Sequence, residues 1–230
     1  MRPVIHLTPS SSIRTLAVAA GALVLTACGG SGPHPGLGVS VAGEEVGDEQ
    51  IGELTTDYCT ALEELNGDQM GQIALRDLRI AVVRGVALDL AVDRFLTEYA
   101  DDPAVDVEAA EAAYAAGVDE LRTTLAPVGE EEVRDSVLRV EGATLRRQGL
   151  DTAGAGDLFT QWFAEQDVLV APAYGVTFED GELAPESSIS EPVSEQAELG
   201  EASLGGGQQA FDYAAGLPAD QTCGTAPDSP

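Results

Sequence analysis

The stretch VSVAGEEVGDEQIGELTTDYC, residues 39–59, sets the start of the fold. Val39 and Val41 alternate with small residues, which predicts a short strand. Asp48 is the predicted N-cap of the helix that follows. Cys59 lies beside the apolar stripe of that helix. The stripe recurs at spacings of three and four residues, the pattern of one amphipathic helix face: Ile51, Leu54, Tyr58, Leu62 and Leu65.

Helical periodicity continues through residues 70–100, the longest periodic segment of the chain. Apolar residues lie on more than one face of this segment, so we expect its helix at the centre of a bundle. Further helices are predicted over 106–125, 130–150 and 157–167. The apolar positions of the long segment are Ile73, Leu78, Val82, Val83, Val86, Leu90, Phe95, Leu96 and Tyr99.

The pattern changes after residue 167. The run VLV at 168–170 leads into Pro172, and YGVTFEDGELAP over 174–185 predicts a hairpin with Asp180-Gly181 as its turn. Residues 185–207 are acidic, rich in Ser and Gly and free of Arg, a composition typical of disorder. Residues 208–217 predict one or two helical turns. We therefore expect an acidic, largely disordered tail over 185–230.

The N-terminal residues resemble a secretory signal. Arg2 and Arg14 precede TLAVAAGALVL at 15–25, an uncharged run too short to span a membrane. Leu25-Thr26-Ala27-Cys28 resembles the bacterial lipobox, which implies removal of residues 1–27 and lipid modification of Cys28. Two or more acyl chains anchor a protein stably in a bilayer. The composition of residues 28–37 then predicts a flexible tether. The alternative to a secretory signal is a buried N-terminal helix of a cytoplasmic protein.

The charge of the chain limits its partners. The sequence has 11 basic residues, all Arg, and after Cys28 nine of them remain against 40 acidic residues, a net charge of −31. Such a surface excludes nucleic acid and is repelled by anionic lipid, so membrane attachment would depend on the acyl chains. The absence of Lys beside abundant Ala, Gly, Asp and Glu is typical of GC-rich genomes such as those of actinobacteria.

The three cysteines have different expected fates. With Cys28 lipidated, Cys59 and Cys223 remain as an even pair in an oxidising compartment, which predicts a disulfide. Two independently buried thiols are the alternative. A disulfide would hold the C-terminal tail against the first helix.

Motifs for catalysis or metal binding are weak. The histidines lie at positions 6 and 34, in the predicted signal and tether, and no GxSxG, Walker or complete GxGxxG motif occurs. The acidic residues from Asp101 to Glu108 lack EF-hand spacing, so we interpret them as a helix-cap region. We expect no enzyme activity, cofactor, metal or small-molecule substrate. Phe159, Trp162 and Phe163 are interpreted as core, with a client-binding apolar groove as the alternative.

The order of elements resembles SurA-type N-terminal chaperone domains over residues 38–184. The resemblance covers the 39–59 stretch, the long helix, the acidic spacer and VLVAPAYGVTF at 168–178. The tail LPADQTCG resembles the end of actinobacterial lipoproteins of this group, in which a late cysteine partners an early one. One departure is Ala173, which stands where a basic residue commonly follows the proline.

This resemblance implies a mainly α fold, a helical bundle with a small sheet or hairpin joining its N- and C-terminal parts. It also implies binding of unfolded or translocating polypeptides at the outer face of the cell membrane. We expect no prolyl isomerase activity, because the chain has no room for a parvulin domain. The leading hypothesis is a lipid-anchored chaperone or holdase. The alternative is a structural or interaction lipoprotein that binds one defined envelope partner.

Overall fold

The computed structural model describes residues 36–179, 182–186, 194–203 and 206–224. The fold is mainly helical, with seven α-helices among the described residues and three small antiparallel sheets. The predicted mainly α fold class is therefore confirmed at this level. The lipobox with Cys28, the tether up to residue 35 and the Asp180-Gly181 turn lie outside the described residues.

The N-terminal strand is one half of a hairpin. Strand β1 (Leu37–Val41) pairs with β2 (Glu44–Gly47), and the turn between them is Ala42-Gly43. Both turn residues have positive φ, 51° and 85°, as a two-residue hairpin turn of the I′ type requires. Sequence alternation predicted only the first of these two strands.

Helix α1 (Asp48–Asn66) follows the hairpin directly. The predicted N-cap, Asp48, is instead the first helical residue, and Gly47 is the N-cap without a side-chain hydrogen bond. The Asp48 carboxylate accepts a hydrogen bond from the Tyr174 hydroxyl at 2.6 Å. This contact ties the start of α1 to the segment that follows the helical bundle.

Helix α2 (Leu75–Glu98) is the central helix of the bundle. It packs against α1, α4 and strand β1, and its residues Val82, Val83 and Val86 are fully buried. The predicted helix began earlier, at residue 70. Ile73 lies instead in the short strand β3 (Ile73–Ala74), where it pairs with Cys223 of β7 (Thr222–Cys223).

The remaining helices of the bundle agree with the sequence predictions within a few residues. Helix α3 is Val107–Thr124, α4 is Glu131–Thr152 and α5 is Gly156–Ala164. The Asp106 side chain accepts a hydrogen bond from the Ala109 N–H and so caps α3. Helix α5 is shorter than predicted.

A small sheet joins the two ends of the bundle. Strand β4 (Val168–Val170) pairs antiparallel with β1, which gives the strand order β2-β1-β4. Strands β5 (Val176–Glu179) and β6 (Glu182–Pro185) then form the predicted hairpin as a separate two-stranded sheet.

The tail contains more structure than its composition suggested. Helix α6 (Glu195–Ala202) lies within the range predicted to be disordered, and α7 (Gln208–Ala215) makes the two helical turns expected there. Arg76 of α2 donates to the Gly200 carbonyl at 2.6 Å and to the Ser203 hydroxyl at 2.5 Å. Its guanidinium also lies over the Tyr213 ring at 4.8 Å. One arginine of the body therefore contacts both tail helices, so the prediction of disorder is wrong for this part.

Candidate functional site

The aromatic residues of α5 belong to the core. Phe159, Trp162 and Phe163 are 2%, 6% and 5% exposed, because the apolar face of this helix packs on α2. The Phe159 ring meets Phe95 of α2 edge-on, with ring centroids 5.4 Å apart. The Trp162 indole N–H donates to Glu98 Oε2 at 3.2 Å. The structure therefore favours the core interpretation for these three side chains, and a role of the cluster in client binding stays a hypothesis.

Two of these rings also form the floor of a cleft. Phe163 meets Phe178 of β5 at a centroid distance of 5.8 Å, and the β5–β6 hairpin leaves a space of about 500 Å³ beside α2, α4 and α5. We call this space the hairpin cleft. Its apolar floor comprises Phe159, Phe163, Phe178, Leu88 and Leu183. A volume of this size is typical of sites that bind a small group or a few residues of a chain.

Two arginines line the hairpin cleft. Arg147 of α4 forms an ion pair with Asp151, donates to the Thr160 hydroxyl at 3.0 Å and lies 5.0 Å from the Phe159 ring centroid. Its charge is thus largely used within the protein. Arg84 of α2 is exposed and forms no hydrogen bond or ion pair with the other described residues. Arg84 therefore supplies a positive charge beside an apolar floor.

A second cleft of about 490 Å³ continues along α2 toward its start. It lies between α2 and α4 and shares Arg84, Leu88 and Leu183 with the hairpin cleft. Asp77 and Glu141 line its far part. Asp77 Oδ1 pairs with Arg76 at 3.2 Å, and the buried Oδ2 has no hydrogen-bond partner among the described residues. Arg84 thus lies between two acidic regions, one in each cleft.

Strand β6 forms one side of the hairpin cleft. Glu182, Leu183 and Ala184 line the space, and within the described residues β6 pairs with β5 alone. An unpaired strand edge offers backbone donors and acceptors to an extended chain. Glu179 and Glu182 add negative charge at the hairpin.

Sequence patterns did not indicate the residues that distinguish this cleft, Arg84, Phe178 and Leu183. Arg84 does interrupt the apolar run IAVVRGVALDL at 80–90, which was the available signal. Nothing in that run indicates that a hairpin nearly 100 residues later lies beside it.

The disulfide is present where the cysteine count predicted it. Cys59 of α1 and Cys223 of β7 are bonded, with Cα atoms 5.7 Å apart. Glu63 lies one turn further along α1, with Oε1 3.8 Å from Cys59 Sγ, and accepts a hydrogen bond from the Gly224 N–H at 3.0 Å. The same carboxylate thus contacts the residues on both sides of the covalent link.

Burial raises the pKa of three groups that do not line the hairpin cleft. Burial raises the pKa of the Tyr58 and Tyr174 hydroxyls, and their hydrogen bonds to Glu141 and Asp48 act in the same direction. Burial also raises the pKa of Asp89, against the opposing effect of Arg146 and Arg139. Arg146 links Asp89 of α2 to Glu111 of α3, at 3.4 and 3.9 Å. Tyr58 and Asp89 lie between helices of the bundle, and Tyr174 joins the start of α1 to the segment after β4.

The acidic spacer before α3 has a structural explanation. Asp102 Oδ1 accepts a hydrogen bond from the Ala104 N–H at 2.8 Å, and Asp106 caps α3. Both carboxylates therefore serve backbone donors, as the helix-cap interpretation expects.

None of the helices that the structure describes is long and apolar enough to cross a membrane. Comparison of the chain with protein-family models, curated proteins and solved structures gave no match. The resemblance to SurA-type domains therefore stays a hypothesis based on the order of elements.

Proposed function

We propose that the protein is a lipid-anchored envelope protein whose helical domain binds a defined polypeptide partner. The observation that carries this proposal is the hairpin cleft. It combines an apolar floor with an arginine and an edge of strand β6 that both lack a partner among the described residues. Peptide-binding sites commonly use a strand edge for affinity and neighbouring pockets for specificity.

The distribution of apolar surface favours a defined partner over general binding of unfolded chains. Phe211 of α7, at 55% exposure, is the single large apolar side chain that is highly exposed among the described residues. A protein that holds many unfolded clients needs a broad apolar surface, because its contacts must tolerate different sequences. The described surface offers a small cleft instead.

A holdase function is the second candidate, and the order of elements favours it. Strand β1 precedes the helices and β4 returns to pair with it, an arrangement compatible with the SurA-type resemblance proposed from the sequence. We propose no catalytic role, since both histidines precede residue 36 and the perturbed ionisable groups lie in structural contacts between elements.

The anchor belongs to the same proposal. Mass spectrometry of the membrane fraction should recover an acylated N-terminal peptide that begins at Cys28. A mature protein that retains residues 1–27 without modification would contradict the anchor. It would leave the polypeptide-binding proposal to be judged separately.

Binding to an array of unrelated peptides tests the function of the domain. A partner-specific protein should bind a small, sequence-related subset, whereas a holdase should bind many apolar peptides and slow the aggregation of unrelated unfolded proteins. Because the mature charge is −31, a holdase should prefer basic clients and lose that preference at high salt. Absence of binding to every peptide and client would contradict both candidates.

A further inference from the structure

We propose that the hairpin cleft binds the carboxyl terminus of a polypeptide whose last residue is apolar, and that a basic residue about three positions earlier contacts the acidic end of the second cleft. The proposal rests on the polypeptide-binding function above and specifies the chemistry of that partner.

The terminal residue of the partner matches two features of the hairpin cleft. An apolar C-terminal residue carries a carboxylate and an apolar side chain on one Cα, and the hairpin cleft holds their complements together. Arg84 supplies the positive charge, while Phe159, Phe163 and Phe178 supply the apolar floor. An internal Asp or Glu carries the carboxylate without the apolar group, and an internal Leu or Phe carries the reverse. A free terminus with an apolar side chain matches both features at once.

Arg84, and not Arg147, recognises the carboxylate. Arg147 already pairs with Asp151 and with the Thr160 hydroxyl. Arg84 is exposed and unpaired within the described residues, so its donors are available. A guanidinium can form two parallel hydrogen bonds with a carboxylate, which a neutral terminal amide cannot accept in the same way.

The positions of Arg84 and Asp77 on α2 set the direction of the bound chain. Arg84 and Asp77 are seven residues apart on α2 and lie on the same face, about 10 Å apart along the helix axis at ~1.5 Å per residue. An extended chain covers that distance in about three residues. At the far end lie Glu141 and Asp77, and Asp77 Oδ1 already pairs with Arg76 at 3.2 Å. The remaining negative charge is mainly that of Glu141, so a basic residue at that position would complement this end of the cleft.

The glutamates of the hairpin also limit the charge of the ligand. Glu179 and Glu182 also line the hairpin cleft, so the terminal carboxylate is held there by its contact with Arg84 alone, and further acidic residues next to it are disfavoured. The expected ligand is therefore neutral or basic apart from its terminal carboxylate. This complementarity selects a class of partner, because a uniformly acidic or uniformly apolar chain satisfies only part of the site.

The test uses synthetic peptides and the purified full chain. The probe is Gly-Lys-Ala-Ala-Phe with a free carboxylate, compared with the same peptide as a C-terminal amide and with a version in which Glu replaces Lys. Affinities are measured by calorimetry at low salt. We expect the free acid to bind about tenfold more tightly than the amide, which is the usual size of one partly exposed charge-assisted contact. The Lys peptide should also bind more tightly than the Glu peptide.

Arg84→Gln should reduce the preference for the free acid to less than about twofold. Arg94→Gln is the matched control, since Arg94 is also an exposed arginine of α2 but lies outside both clefts, and it should retain the preference. Equal binding of acid and amide by the wild type, or loss of the preference in the control alone, would overturn the site. Tighter binding of the Glu peptide would overturn the direction of the chain. Binding to other polypeptides without any acid preference would leave the proposed function standing and reject this site alone.

Discussion

Gly85→Ala should destabilise the protein, whereas the same substitution at Gly52 should stabilise it. Both glycines lie inside helices, Gly52 in α1 and Gly85 in α2. In an isolated helix, either substitution would be favourable by about 1 kcal/mol, because Ala has the higher helix propensity. The two sites differ only in what surrounds the added methyl group.

A Cβ at Gly85 would lie 2.7 Å from Val140 Cγ1 and 2.8 Å from the Val140 carbonyl oxygen. Ordinary contacts begin at 3.4 Å, so the overlap is roughly 0.6 Å, and part of it is with backbone that cannot rotate away. Overpacking of this kind costs about 1–3 kcal/mol. Since α2 and α4 would have to separate, we expect the upper part of that range and a net loss of about 1–2 kcal/mol.

A Cβ at Gly52 would meet nothing within 4 Å. We therefore expect Gly52→Ala to raise the free energy of unfolding by about 0.5–1 kcal/mol. The unfolding free energies of the two variants should therefore lie on opposite sides of the wild-type value and differ from each other by about 1.5–3 kcal/mol.

Urea unfolding with the disulfide intact, followed by the fluorescence of the single Trp162 and by far-UV circular dichroism, measures both variants. The slope of the transition should stay constant, so the midpoints alone should move. A Gly85→Ala variant as stable as the wild type would refute the close contact of α2 and α4. Equal effects of the two substitutions would show that helix propensity alone governs both sites.

Three further predictions concern other parts of the fold. Phe159→Ala should lower the unfolding free energy by about 3–5 kcal/mol, while Phe211→Ala, at an exposed position, should change it by less than ~0.5 kcal/mol. Similar effects of the two substitutions in urea unfolding would contradict the assignment of Phe159 to the core. Reducing the Cys59–Cys223 disulfide, which links residues 164 positions apart, should lower the unfolding free energy by about 2–5 kcal/mol, and a loss below ~1 kcal/mol would contradict its role. Burial raises the pKa of Asp89 above its ordinary value of 3.8, so the folded state binds that proton before the unfolded state does as the pH falls. The unfolding free energy of the wild type relative to Asp89→Asn should therefore rise as the pH is lowered from 7 to 4. A relative stability that falls over this range would show that the neighbouring arginines outweigh burial.

The sequence alone predicted the features that depend on local geometry. Apolar spacing predicted α1, α3 and α4 within a few residues, because a helix with one buried face must repeat its apolar residues every three or four positions. Counting cysteines predicted the partners of the disulfide, since the predicted lipidation of Cys28 would leave two. Neither inference required knowledge of where one element packs on another.

Local rules failed where a distant segment changes the outcome. Ile73 fits the periodicity of α2, but pairing with Cys223 places it in a strand. The composition of residues 185–207 is typical of disorder, yet the contacts of Arg76 with Gly200 and Ser203 hold α6 on the body. In both cases a contact across more than 100 residues outweighs a local preference worth a few tenths of a kcal/mol per residue.

The candidate site depends almost entirely on tertiary structure. The sequence pattern indicated Phe159 and Phe163 as core residues. It could not show that these buried rings also form the floor of the hairpin cleft. Arg84 and Leu183 meet at this cleft only because β4 returns to pair with β1 and thereby directs the β5–β6 hairpin toward α2. Periodicity records which face of an element is apolar, whereas the contacts between elements depend on how all the faces pack together. The chain therefore determines its helices locally, and their packing determines the cleft.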